Sequence, residues 1–142
     1  MEKIKIIGFG HLGMSAATLV PDRINREKLY IDNTIHDMEE LRIPDSKRII
    51  LDYQYELAAW DPTYQVKAFL KKQAVKEYIL EFVKDASLLV FMVGIGGSMS
   101  MGMIEFLKYF EKNKIDVPIC VIISFPTRTA TGDYQCCTIC NQ

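Results

Sequence analysis

Short apolar runs recur along the chain and are separated by polar or glycine-containing stretches. Runs rich in valine, isoleucine and leucine with few polar interruptions are typical of strands buried on both faces of a sheet. Five such runs predict five strands, at residues 3–9, 28–32, 47–52, 87–94 and 117–125.

Amphipathic segments lie between these runs and predict helices. Asp61 and Pro62 form a typical helix start, because aspartate caps free N–H groups and proline at the first helical position loses no hydrogen bond. Apolar residues then recur at intervals of three and four as far as Lys84, which predicts one long helix. The predicted helices cover residues 14–20, 37–41, 61–84 and 100–113. Strands that alternate with helices predict an α/β fold of three layers, with a doubly wound, mostly parallel, Rossmann-like sheet.

The composition excludes several classes of partner. A chain of 142 residues fits one domain, and 17 basic against 18 acidic residues leave a net charge of −1. Neither nucleic acid nor an anionic membrane is therefore an expected partner. The N-terminal apolar run is too short for a signal peptide, and no apolar run approaches the roughly 20 residues that span a bilayer. We expect a cytoplasmic protein.

Three of the four cysteines, Cys136, Cys137 and Cys140, lie near the C-terminus, whereas Cys120 belongs to a predicted strand. The spacing of Cys137 and Cys140 suits a zinc or redox site, but a structural zinc needs four ligands and the sequence has no second pair. We expect no metal centre. The predicted organisation is an α/β domain at residues 1–126 and a cysteine-containing tail at residues 127–142.

Two glycine-rich turns follow predicted strands, GFGHLG at residues 8–13 and GIGGSMSMG at residues 94–102. In a doubly wound sheet such turns open on the same edge, so both are expected to face one crevice. Glycine allows close approach of an anion, and the helix N-terminus after each turn attracts phosphate. The first turn alone also fits a dinucleotide fingerprint, with Asp32 placed to bind a ribose of NAD(P) or FAD. The alternative is that both turns only connect strands to helices.

Further short segments complete a pattern that resembles the N-terminal nucleotide-binding half of the FtsZ/tubulin family. In that family a loop of the type GxGGxGxNA follows the first strand, and an Asn-Thr step follows a later one. An apolar strand then leads into the signature GGGTGTG, and the next strand leads to a proline-containing loop. The similar segments here are residues 8–13, Asn33-Thr34, residues 96–102 (GGSMSMG) and residues 123–127 (ISFPT).

The resemblance extends over residues 4–126 and implies binding of GTP or GDP, with Mg²⁺ as a companion ion. It also implies that the nucleotide lies across both turns. The candidate binding residues are Gly8, Gly10, His11, Gly13, Asp32, Asn33, Gly94, Gly96, Gly97, Ser98, Met99, Ser100, Met101, Gly102, Pro126 and Thr127. Titratable groups expected at the crevice are His11, Asp32, Asp52 and Arg128, for which surface or strand-end roles are the alternative.

Departures from the family pattern bear on activity. Met99 and Met101 stand where the signature has threonines, and Ser98 and Ser100 stand where it has glycines. The family's long central helix and its acidic hydrolysis loop have no counterpart among the 142 residues. The expected function is therefore a nucleotide-binding or regulatory module with little hydrolysis by this chain alone, acting as a homo-oligomer or with a partner protein. The alternatives are a Rossmann-type NAD(P)- or FAD-binding module and a protein-interaction domain without a ligand.

Overall fold

Six strands form a single sheet in the order β3-β2-β1-β4-β5-β6. The computed structural model describes residues 1–51, 62–95, 99–128 and 134–141. The strands are β1 (Ile4–Phe9), β2 (Arg26–Asp32), β3 (Arg48–Ile50), β4 (Leu88–Gly94), β5 (Ile119–Arg128) and β6 (Tyr134–Asn141). The strands β1 to β5 run parallel to one another, as the sequence predicts, and β6 is antiparallel to β5.

Helices connect the parallel strands. They are α1 (Gly10–Leu19), α2 (Ile35–Glu40), α3 (Pro62–Leu70), α4 (Gln73–Val83) and α5 (Met99–Lys112), and a short 3₁₀ turn, Asp45–Lys47, precedes β3. None of the helices in the described ranges has the length and apolar composition that crossing a bilayer requires.

The prediction of one long helix over residues 61–84 is wrong, because α3 and α4 are separate helices. Lys72 has an extended backbone, with ψ of 123°, and stands between them. The break changes which residues face the core. Leu70 and Ile79 are both buried, whereas Tyr78, which the uninterrupted pattern places on the apolar face, is 45% exposed. Leu70 and Ile79 are separated by about two and a half helical turns, so in one straight helix their side chains would point to opposite sides. A single helix could not bury both against the same core.

The sheet is covered on both faces, which confirms the three-layer architecture. Alternate residues of a strand point to opposite faces. On one face, Ile7 and Phe91 pack in a core cluster with Phe106 of α5 and with apolar residues of α3 and α4. On the other face, Ile6 and Met92 pack with residues of α1 and α2. The rings of Phe9 and Phe106 meet edge to face at 5.4 Å between centroids.

Lysines are buried at the opposite end of the sheet from the glycine turns. Lys5 of β1 is only 3% exposed, and its ammonium group pairs with Glu27 at 2.8 Å and with Asp85 at 3.3 Å. Lys28 of β2 pairs with Asp22 and donates a hydrogen bond to the carbonyl of Val20. Ion pairs and hydrogen bonds of this kind reduce the free-energy cost of burying a charged group.

The sequence analysis did not predict β6. Eight residues from Tyr134 to Asn141 pair with β5, and Cys137 lies opposite Phe125 in the register. β5 itself continues through Pro126 to Arg128, so the predicted boundary after residue 126 falls inside a strand. The division into a domain and a tail therefore cuts across one side of the sheet, although nothing is described for residues 129–133.

Candidate functional site

The helix α1 begins at Gly10, directly after the last residue of β1. Gly10 has φ of +68°, a left-handed conformation that side chains disfavour. A Cβ atom at this position would also lie 3.1 Å from Cβ of Met99. Glycine thus permits an abrupt change from strand to helix beside the start of α5. The predicted helix start at residue 14 is too late, because residues 10–13 are helical rather than part of a loop.

Two glycines of the first turn, Gly8 and Gly13, allow α1 to lie close against the sheet. A Cβ atom on Gly8 would be 2.9 Å from the carbonyl oxygen of Gly13. A Cβ atom on Gly13 would be 2.1 Å from the carbonyl oxygen of Met92 in β4. Real side chains do not tolerate such distances to backbone atoms. These glycines therefore allow the N-terminal turn of α1 to pack at the sheet edge.

A cavity of about 190 Å³ opens at the carboxyl ends of β1, β2 and β4. It lies between the first turn of α1 and the start of α5, where parallel-sheet proteins commonly bind ligands. Within the described residues, its walls are Phe9, Gly10, His11, Leu12, Asp32, Asn33, Asp37, Gly94 and Met99.

Six of the predicted site residues line this cavity, so the structure brings parts of both glycine turns together. They are Gly10, His11, Asp32, Asn33, Gly94 and Met99. Gly102 is turned toward the core, where an added Cβ would meet Val66 and Met99, and Met101 is 51% exposed. Ser100 is a half-buried residue of α5.

Gly96, Gly97, Ser98 and Asp52 lie outside the described residues. The backbones of Pro126, Thr127 and Arg128 belong to β5.

Three wall residues that the sequence analysis did not select are Phe9, Leu12 and Asp37. A Cβ atom added to Gly94 would lie 2.6 Å from Cδ1 of Leu12, so the Leu12 side chain fills the space beside Gly94. Asp37 lies beyond Asp32 in the chain, in the first turn of α2. The only signal for Asp37 in the sequence is its place just beyond a strand-end acid.

Asp32 is the most unusual polar residue of the cavity, because its side chain is only 3% exposed. One carboxylate oxygen, Oδ1, accepts a hydrogen bond of 2.7 Å from the backbone N–H of Asn33. The other, Oδ2, is buried without a hydrogen-bond partner among the described residues. Burial raises the pKa of Asp32 to about 6; the Asn33 hydrogen bond opposes that rise, whereas the neighbouring carboxylate of Asp37 adds to it.

His11 and Asp37 face each other across the rim of the cavity. Their closest polar atoms, Nδ1 of His11 and Oδ1 of Asp37, are 3.7 Å apart, and about half of the histidine side chain is exposed. The rim therefore carries an imidazole that solvent reaches, beside the half-buried carboxylate of Asp37.

The N-terminal ends of two helices add positive potential to the same space. The N-cap residue of α1, Phe9, makes no side-chain capping hydrogen bond, and the first N–H groups of a helix have no partners within it. Gly10, His11 and Leu12 of that first turn line the cavity, as does Met99, the first residue of α5. Such ends attract anions. The site thus offers helix dipoles for phosphate together with a carboxylate that can accept hydrogen bonds from hydroxyl groups.

Comparison with solved structures identifies similar folds. A GTPγS-form protofilament of TubZ from Bacillus thuringiensis serovar israelensis has a TM-score of 0.67, with 18% identity, over 92% of this chain and 38% of TubZ. CetZ from Methanosaeta thermophila strain DSM 6194 has a TM-score of 0.64, with 19% identity, over 90% of this chain and 38% of CetZ. The chain thus spans about two fifths of the length of these proteins.

By sequence, the chain matches no family profile and no curated protein. The structural likeness nevertheless extends over the five parallel strands and the helices that connect them. The chain therefore has the fold of the FtsZ/tubulin N-terminal domain, as the glycine turns and the Asn-Thr step predicted.

Proposed function

We propose that this chain binds a guanine nucleotide in the cavity at the carboxyl edge of the sheet and acts as a binding or regulatory module. The observation that carries the proposal is the convergence of the α1 and α5 N-termini on one cavity that also contains Asp32. The fold itself adds weight, since the similar TubZ protofilament is a GTPγS form.

The phosphates are the part of the ligand that the helix ends suit. N–H groups in the first turn of α1, which the side chain of the N-cap residue Phe9 does not cap, can donate hydrogen bonds to phosphate oxygens without a basic side chain. Residues 95–98 connect the two cavity residues Gly94 and Met99 along the chain. We therefore assign Gly96 and Gly97 to phosphate binding as well.

The acidic wall suits the remaining parts of the ligand and a companion ion. Oδ2 of Asp32 can accept a hydrogen bond from a ribose hydroxyl group. Mg²⁺, when bound with a nucleotide, neutralises phosphate charge, and Asp32 and Asp37 are the carboxylates at this cavity that could hold it. The described cavity, about 190 Å³, is smaller than the roughly 300–1,000 Å³ of typical ligand pockets. It accommodates part of a nucleotide, and the remainder is expected to extend past the rim.

We propose that hydrolysis by this chain alone is slow. Met99 and Met101 replace the hydroxyl-bearing residues of the family signature, and Met99 is buried against Gly10 and Gly102. A thioether neither donates a hydrogen bond to a leaving phosphate nor activates water. Association of copies through the sheet edge or the exposed Met101 is compatible with this proposal.

A thermal-shift panel of GTP, GDP, ATP, NAD and NADP, each with and without Mg²⁺, tests the proposal. A nucleotide at 100 times its Kd adds about 2.7 kcal/mol to the free energy of unfolding. We expect GTP and GDP to raise the Tm and Gly97→Val to abolish that rise. The matched control, Gly102→Ala, changes a glycine that faces the core and should keep the rise. No shift with either guanine nucleotide would contradict the proposal.

The second candidate function is that of a dinucleotide-binding module, which the strand order and the position of Asp32 favour. The first five strands have the order 3-2-1-4-5 of dinucleotide-binding folds, and Asp32 ends β2, where such folds bind a ribose. This function predicts a Tm rise with NAD or NADP that Asp32→Asn reduces and Gly97→Val leaves intact. Phosphate release measured together with light scattering separates both functions from that of an enzyme that assembles and turns over GTP.

A further inference from the structure

We propose that His11, Asp37 and Glu40 form a binding site for a divalent transition-metal ion of the Zn²⁺ type, occupied without any nucleotide. This proposal goes beyond the nucleotide function and does not depend on it. The site lies on the rim of the cavity, where the first turn of α1 approaches the short helix α2.

The ligand atoms are already close together. One nitrogen of His11 and one carboxylate oxygen each of Asp37 and Glu40 lie within 4.8 Å of one another. Ligands that bind one zinc ion at about 2.0–2.2 Å in a tetrahedral arrangement are separated by roughly 3.4 Å. The distance of 3.7 Å between His11 and Asp37 is near that value. Glu40 is exposed and can approach by a change of rotamer.

The fold explains why these three residues meet. Asp37 and Glu40 are three residues apart on α2, which places them on the same side of the helix. His11 is the second residue of α1. Because α1 and α2 follow the neighbouring parallel strands β1 and β2, both helices start at the same edge of the sheet.

Asp32 supplies an independent indication that a cation belongs here. Its side chain is 97% buried and lines the same cavity as His11 and Asp37, yet Oδ2 has no hydrogen-bond partner among the described residues. A buried carboxylate oxygen without a partner is costly. A metal ion held by Asp37, or a water molecule bound to that ion, would stabilise it. Asp32 is therefore a positioning residue behind the three ligands.

The ligand set indicates the class of metal. Imidazole nitrogen suits zinc, nickel, iron and copper, whereas Mg²⁺ and Ca²⁺ prefer oxygen ligands only. Three protein ligands would leave coordination positions for water. Zn²⁺ should therefore bind through His11, and Mg²⁺ should not displace it.

Imidazole NMR of the full chain gives a direct test, because the sequence contains two histidines, His11 and His36. His36 is exposed on α2, one helical turn before Glu40, so its ring signals report zinc that binds to α2 without His11. We expect ZnCl₂, added without nucleotide, to shift the ring signals of His11 and to leave those of His36 in place, and an equal concentration of MgCl₂ to shift neither. The His36→Ala variant assigns the signals. Because only histidine ring signals are measured, zinc bound by Cys136, Cys137 or Cys140 would not produce the expected shift of the His11 signals.

Variants complete the test. Asp37→Asn combined with Glu40→Gln should raise the Zn²⁺ concentration needed to shift the His11 signals at least about tenfold. Glu39→Gln, a change of the exposed neighbour, should leave that concentration unchanged. Equal shifts of both histidines, no shift of His11, or a shift that survives the double substitution would each overturn the proposal. None of these outcomes depends on whether GTP binds, so the two proposals fail separately.

Discussion

Gly13→Ala is expected to destabilise the protein although alanine normally favours a helix. The added Cβ would lie 2.1 Å from the carbonyl oxygen of Met92 and 3.1 Å from Cα of Val93. Because these are backbone atoms of the central strand β4, only a movement of α1 by about 1 Å can relieve the contact. Overpacking costs about 1–3 kcal/mol, occasionally more, and a rigid backbone contact belongs at the upper end. Alanine in place of glycine within a helix offsets about 1 kcal/mol. The expected net loss is about 2 kcal/mol.

Gly102→Ala is the matched control, since Gly102 is also the fourth residue of its helix, α5. There the added Cβ would meet side-chain atoms, Cε of Met99 and Cγ2 of Val66, both at 3.1 Å. The flexible end of Met99 can move, so we expect a change below about 1 kcal/mol.

Urea unfolding measures both variants, and thermal unfolding should show a Tm about 4–8 °C lower for Gly13→Ala. Equal free energies of unfolding for the two variants, or a more stable Gly13→Ala, would refute the role assigned to Gly13 in setting the distance between α1 and the sheet.

Two further predictions concern the core and the amino end of the sheet. Phe106→Ala removes a ring that is fully buried against Phe9 and should lower the free energy of unfolding by about 3–5 kcal/mol, whereas Ile104→Ala, at a position 39% exposed, should cost much less; urea unfolding compares them. Hydrogen bonds from Lys3 and Lys5 lower the pKa of Asp85 to about 2, below its usual 3.8. Its stabilising effect is therefore complete above about pH 5 and is lost as the pH falls from about 4 through 2. Asp85→Asn should reduce the pH dependence of the urea midpoint in that range, and an unchanged dependence would contradict the assignment.

The parallel strands were predictable because each contains a short apolar run. Residues 87–94 illustrate this, since β4 spans Leu88–Gly94 and is buried along almost its whole length. The strand β6 was not predictable in the same way, because the segment YQCCTICN has no continuous apolar run and its pairing depends on β5. The break between α3 and α4 was not predictable from the sequence for a related reason. Their combined sequence keeps helical spacing, and only packing shows that Ile79 rather than Tyr78 is buried.

The candidate site was predictable where a residue ends a strand. Asp32 and Gly94 follow apolar runs directly, so the sheet edge fixes their positions. The glycines of the first turn lie at that edge, and the close packing of α1 that Gly8 and Gly13 allow depends on distances that a sequence does not contain. Asp37 and Glu40 could not be selected because their proximity to His11 depends on how α2 sits beside α1.

The central position of β1 beside β4 has a consequence for synthesis of the chain. Lys3 and Ser87, which are joined by a hydrogen bond at the start of these strands, are 84 residues apart. At about 5–20 residues per second, a ribosome needs roughly 4–17 s to make the intervening segment. During that interval β1 has β2 as a neighbour but lacks β4, and the face that α5 covers is open. The nascent N-terminal part therefore presents apolar surface for seconds, and we expect chaperones that recognise such surface to bind it before β4 emerges.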